Sequence, residues 1–201
     1  YQSIAHDYPE GTIVTSGLSK WCGAGGWRLG FAHIPNQLGN ELFNTLLGIA
    51  SETYSCASTP MQYAAIQAYQ YNESINAYLN KQRFILKQLA NACYERFTTA
   101  NIKLSLSQGG FYCFPDFGEY QSILAKRGIN SGEQLCQQLL ADTGVMLLPG
   151  SAFGMPENSL TARLAFVDFD GAHALQHSNA PVEDYARHVL EGIAALTDWL
   201  K

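Results

Sequence analysis

Charge is scarce in this chain. Asp, Glu, Lys and Arg make up 14% of it, against 47% hydrophobic residues. That balance argues against a disordered or solvating chain and for one that buries much of itself. Basic clusters are missing too: net charge is -5 and no dense run of Lys and Arg occurs. A nucleic-acid partner, which needs clustered positive charge, therefore gains no support. No apolar run is long enough to cross a bilayer, so no membrane partner is expected. Cys22, Cys56, Cys93, Cys113 and Cys136 are odd in number and contain no CxxC pair. Neither a structural zinc site nor a disulfide framework is expected, and a reducing cytoplasm is the natural setting. Most of these thiols read as small buried hydrophobes. The opening YQSIAHDYPEG has neither an initiator Met nor a signal-peptide pattern and reads as the middle of a longer protein.

What is present is an α/β pattern. The 201 residues suffice for one good-sized core or two small ones. Residues 12–16 (TIVTS) predict a short buried strand and residues 27–34 (WRLGFAHI) a second, joined by a Gly-rich loop. Thr59-Pro60 predicts a helix start, Thr as N-cap and Pro at the first position. A long amphipathic helix is expected over 73–97, with Ile75, Tyr78, Leu79, Ile85, Leu86, Leu89, Cys93 and Phe97 on one face. Residues 102–106 (IKLSL), GGFYCF and VMLLPG read as strands. Ser131 and Gln134 form a capping box for a helix carrying Leu135, Leu139 and Leu140. LTARLAFV alternates, with Leu160, Ala162, Leu164 and Phe166 on one face and Thr161, Arg163, Ala165 and Val167 on the other. A last helix is expected from about 182. The domain break is expected at the long helix, giving segments 1–72 and 73–201.

The chemistry concentrates in SGLSKWCGAGGWRLGF. Lys20 follows a strand; a lysine in a partly dry pocket has a lowered pKa and attacks carbonyls. Ser16 and Ser19 offer hydroxyls. Gly23, Gly25 and Gly26 let backbone approach a ligand. Arg28 offers a planar fork for a phosphate. An amine nucleophile beside a phosphate clamp suits a phosphorylated aldehyde. By residue chemistry alone, the same stretch also suits a solvated loop. It is neither a dinucleotide fingerprint, since Arg28 stands where the third Gly belongs, nor a P-loop.

The same stretch resembles the signature around the cofactor lysine of fold type I pyridoxal-phosphate (PLP) aminotransferases, the class I/II family, in which Ser-x-Ser-Lys is followed by a Gly-Trp-Arg-x-Gly run. GGFYCF, LLPGSAFG and LTARLAFV resemble downstream landmarks of that family, in order and spacing, so the resemblance covers essentially the whole chain. It implies a fold type I PLP-dependent transferase: the C-terminal portion of the large domain over 1–72, and the small α/β domain with the interdomain helix over 73–201. It implies PLP as cofactor, Lys20 as the catalytic lysine that carries it, Arg28 as a phosphate ligand, and Arg163 as the ligand of the substrate α-carboxylate. It implies transamination between an amino acid and a 2-oxo acid, in a homodimer. Other PLP chemistry on amino acids, such as β-elimination or cyclopropane formation, would show the same Lys20 and Arg163. A catalytically silent truncated domain is the alternative from another class. The family has Ser three residues before the lysine; here it is Gly17, so Ser16 and Ser19 are the candidate phosphate hydroxyls. The family's remaining cofactor residues lie before Tyr1, and the chain alone is therefore expected not to sustain turnover.

By pattern alone, Arg163 on a mostly apolar strand suits a structural ion pair; the resemblance favours carboxylate recognition. Asp168, Asp170, His173 and His177 form a compact cluster, but D-F-D-G is a natural turn, and no metal is expected. Tyr63, Tyr69, Tyr71 and Tyr78 have no basic residues between them and read as packing residues in the core or between domains.

Overall fold

The computed structural model describes residues 3–70 and 72–201, so Tyr71 lies outside the described residues. The chain is mixed α/β, mostly helical, and divides into two compact units, Tyr1–Leu79 and Asn80–Lys201.

The first unit is built on a hairpin. Strand β1 (Val14–Gly17) pairs antiparallel with β2 (Gly30–His33), Ser16 opposite Phe31 and Gly17 opposite Gly30. Between them lie the four-residue helix α1 (Leu18–Trp21) and a 3-10 turn, Gly25–Trp27. Both strands are shorter than expected. Trp27 is in the turn, and the left-handed backbone of Arg28 (φ 53°) holds back the second strand until Gly30. They are also less buried than expected: β2 is exposed along its length. Among the described residues this sheet has two strands, and Phe31, whose ring meets that of Tyr69 edge-on, stays exposed. Helix α2 (Asn40–Tyr54) has no buried residue, leaving Phe43, Leu47 and Ile49 in solvent. Helix α3 (Thr59–Ala68) starts with Thr59 inside it; Ser58 takes the N-cap position, and Pro60 sits in the first turn as expected. Tyr63 on α3 is 70% exposed, so it is not the packing residue the sequence suggested.

Helix α4 (Glu73–Thr99) is the long amphipathic helix. The Asn72 side chain accepts a hydrogen bond from the Ile75 N–H at its start. Ile85, Leu89, Cys93 and Phe97, each four residues from the next, are buried along one stripe.

In the second unit the strands are short. Residues 102–106 do not form a strand; they contribute one bridge, Lys103 to Asp116. Strands β3 (Tyr112–Cys113) and β4 (Leu148–Pro149) flank β5 (Ala162–Ala165), both antiparallel to it. The alternation around β5 holds in part: Leu160, Ala162, Leu164 and Phe166 are buried and Ala165 and Val167 are exposed, but on that second face Arg163 is half-buried and Thr161 is buried. Helix α5 (Gln121–Lys126) precedes α6 (Gly132–Thr143). Ser131 caps α6, its hydroxyl accepting from the Gln134 N–H, while the Gln134 side chain accepts from the Asn130 N–H. After α7 (Gly171–Gln176) the expected closing helix is split into α8 (Val182–Tyr185) and α9 (Arg187–Trp199). The cause is a partner from before α7: the Tyr185 carbonyl, needed by a continuous helix, accepts from the Asp170 N–H at 2.9 Å. Phe97, Phe117, Phe166, Leu124, Leu139 and Ile193 anchor one continuous core. No helix among the described residues is long and apolar enough to cross a membrane.

Candidate functional site

The Lys20 turn is fixed by its neighbours. Leu18 is fully buried; its N–H donates to the Leu29 carbonyl at 3.1 Å, and its own carbonyl accepts from Ala24 N–H and from Cys22 Sγ. The Cys22 carbonyl accepts from the Tyr78 hydroxyl at 2.8 Å. The Trp21 ring lies against Tyr69, centroids 5.2 Å apart, and its Nε1 donates to the Tyr69 hydroxyl. Leu18 and Trp21, three residues apart on α1, are thus held by their neighbours, and Lys20 between them is exposed. The dry surroundings expected of a nucleophilic lysine are not supplied by the described residues around it.

Gly17 departs from the serine of the family signature for a visible reason. A Cβ there would lie 3.1 Å from the Leu29 carbonyl oxygen and 3.4 Å from the Gly30 Cα. The two strands close on each other at this point, which favours glycine.

Arg28 is exposed and folds back so that Nη1 donates to the Gly25 carbonyl at 2.9 Å. This bond engages one of five guanidinium donors. Arg28 and Ser16 line the same cleft of about 1250 Å³, whose lining also includes Tyr54, Ser55 and Gln62. Ser19 is half-buried, packed near Gly25. Lys20 and Ser19 are not part of the lining of that cleft. The donor set of this short stretch, a primary amine, two hydroxyls and a guanidinium, fits a phosphorylated aldehyde: the amine for its carbonyl and the others for its phosphate.

Arg163 belongs to the second unit, on β5 opposite Leu148. It has no ion-pair partner among the described residues, so the structural ion pair considered for it is not formed there. Two rings hold its guanidinium instead, Tyr112 and Phe153, each with its centroid 4.4 Å from Cζ. Its Nε is buried and has no hydrogen-bond partner. The sequence reading missed both rings. Their signal was in GGFYCF and LLPGSAFG, landmarks to which no role was attached.

The acidic and histidine cluster is put to structural use. Asp170 caps α7 by accepting from the His173 N–H, the rings of His173 and His177 stack with centroids 4.4 Å apart, and Asp168 lies 3.7 Å from His188. Of the thiols, Cys93, Cys113 and Cys136 are buried, Cys22 is half-buried and Cys56 is exposed. Burial pushes Cys93 and Cys113 up to about 12 and Cys136 up to about 11.

Comparison with known proteins bears on the whole chain. The family model for aminotransferases of class I and II matches residues 2–168. The chain is 31% identical over 172 residues to an aspartate aminotransferase of Bacillus sp. (strain YM-2), covering 81% of this chain and 38% of that protein. It is 33% identical over 156 residues to an aspartate aminotransferase of Pinus pinaster, covering 72% of this chain and 29% of that one. The solved structure of Thermus thermophilus aspartate aminotransferase with maleate has a TM-score of 0.72 and 21% identity, over 98% of this chain and 44% of that chain. The chain thus spans less than half the length of each of these proteins. A family match running from residue 2 to 168, joined to a likeness of fold over nearly the whole chain, places it in the aminotransferase class I and II family.

Proposed function

We propose that the protein, at the length its source encodes, moves an amino group between an amino acid and a 2-oxo acid using PLP, and that Lys20 carries the cofactor. The observation behind this reading is the Lys20 turn: an exposed amine directly after β1, with Ser16 and Ser19 before it and Arg28 folded onto Gly25 after it. Bound PLP would supply an electron sink. The protein's part is binding, orientation and proton movement. Arg28 would hold the phosphate, with the Ser16 and Ser19 hydroxyls as the candidate donors beside it. Lys20 would hold the cofactor through its amine and, when that amine is free, would act as the base that takes the proton from the substrate Cα. Arg163 holds the substrate α-carboxylate through a planar fork. The relatives named aspartate aminotransferase make L-aspartate the first donor to assay. The reading includes a homodimer and a cytoplasmic setting; the free cysteines suit a reducing compartment. It also keeps 1–72 as part of the large domain and 73–201 as the small domain.

The test is to load the protein with PLP, reduce it with borohydride, digest it and map the labelled peptide. The label is expected on Lys20, and a pyridoxyl group on another lysine overturns the assignment. Product analysis then decides the reaction: amino transfer with a keto acid is expected, whereas ammonia and pyruvate would point to elimination.

A further inference from the structure

An arginine that receives a ligand must hold its plane still while it waits. Most do so with a carboxylate partner; Arg163 has none among the described residues. Its guanidinium lies in a slot between two aromatic faces, Tyr112 and Phe153, each centroid 4.4 Å from Cζ. The slot draws on three backbone elements. Tyr112 is on β3, opposite Ala165, two residues along β5 from Arg163 and on the same face. Phe153 ends the 3-10 turn Gly150–Phe153 that follows β4. That turn is pinned just ahead of β5 by the Gly150 N–H, which donates to the Thr161 carbonyl at 2.8 Å. β3 is steadied in its turn by the Ser107 hydroxyl, which donates to the Tyr112 carbonyl at 2.6 Å.

We propose that Tyr112 and Phe153 are positioning residues for the reaction, an aromatic clamp that fixes the Arg163 guanidinium plane and leaves its two Nη groups as the edge that meets a planar carboxylate. The buried, unpartnered Nε supports this, because it takes the side-on approach away from the ligand. A clamp of rings holds the cation without neutralising it. A carboxylate partner in its place would compete with the substrate for the same donors. The clamp therefore preserves the full charge of Arg163 for an incoming anion, at the modest strength of two cation–π contacts. This inference rests on Arg163 as the carboxylate ligand.

The test uses the PLP-loaded protein at its encoded length, with 2-oxoglutarate as acceptor and the donor that turns over fastest from a panel of amino acids. Phe153 is 43% exposed, so Phe153→Leu is expected to leave the melting temperature within about 1–2 °C of wild type. It should raise KM for the donor about tenfold with kcat changed less than about twofold. Phe153→Tyr should restore KM. Tyr112→Leu should act like Phe153→Leu, and Tyr112→Phe should restore KM, because the face of the ring does the holding. Arg163→Leu separates the two ideas. An unchanged KM in that variant removes the carboxylate reading and the clamp with it. A raised KM there, with wild-type KM in both Phe153→Leu and Tyr112→Leu, removes the clamp alone. Conservative variants as impaired as the leucine ones would also overturn it.

Discussion

Arg28 has a left-handed backbone, φ 53°, a region glycine enters freely and other L-residues enter at a cost of about 1–2 kcal/mol. A side chain kept there against its backbone preference suggests that its head group matters, and a phosphate is the ligand proposed for it. Arg28→Leu keeps the backbone cost and removes the fork. PLP affinity should then fall by about tenfold to a hundredfold, the size of a charge-assisted hydrogen bond worth ~1.5–3 kcal/mol. A spectrophotometric titration with PLP measures this, and wild-type affinity would refute the phosphate role. Lys20→Ala should abolish turnover, which the same assay panel checks. The buried thiols make a separate prediction. Cys93 and Cys113, held up near 12 by burial from an ordinary 9.0, and Cys136, near 11, stay protonated in the folded chain. Because the folded values are raised, their contribution to stability is complete below about pH 9 and is lost as pH climbs toward 11–12. Burial raises Tyr78 and Tyr185 as well, with the same sign. Melting temperatures should therefore decline between pH 9 and 11, and an aromatic disulfide reagent at pH 8 should label Cys56 well before those three. Rapid labelling of Cys113 in the folded protein would contradict its burial.

Elements differ in how plainly their sequences announce them. The stripe of α4, the Ser131 cap of α6 and the alternation of β5 are legible because each depends on residues close in sequence. The break between α8 and α9 is not, because its cause is the Asp170 N–H, a partner from another part of the chain. The Tyr112–Arg163–Phe153 stack was hidden for the same reason: the three residues meet only after β3, β4 and β5 pair. Gly17 shows the converse. It looked like a gap in the family signature until the close approach of Leu29 gave it a purpose. The turn after β4 offers a sharp test at this scale. A Cβ on Gly150 would run into the Thr161 hydroxyl and lie 3.1 Å from the Thr161 carbonyl oxygen, and Thr161 is buried. Gly150→Ala should cost about 1–3 kcal/mol, as overpacking does, which is a drop of roughly 2–4 °C in melting temperature per kcal/mol. Adding Thr161→Ala should recover part of the loss. A Gly150→Ala protein that melts like wild type would mean the turn is looser than the contact implies.

Across the molecule, burial is uneven. The core cluster lies within 80–201, whereas in the first unit Leu18 and Ala65 are the apolar residues of the core set. The sequence did not reveal this, since apolar side chains such as Phe43, Leu47 and Ile49 carry no mark in sequence of whether anything covers them. Amide exchange should follow the same division: slowest along 85–97 and 189–196, fastest in α2, where no residue is buried. Equal protection in α2 and α9 would contradict it. The same feature has a calorimetric consequence. The heat capacity of unfolding measures the apolar surface that folding hides, at about 12–15 cal/mol/K per residue in ordinary domains. A 201-residue chain whose hidden surface belongs mostly to about 120 of its residues should gain heat capacity on unfolding nearer about 1.5–1.8 kcal/mol/K than about 2.4–3.0, and its denaturant slope should fall short of its length in like manner.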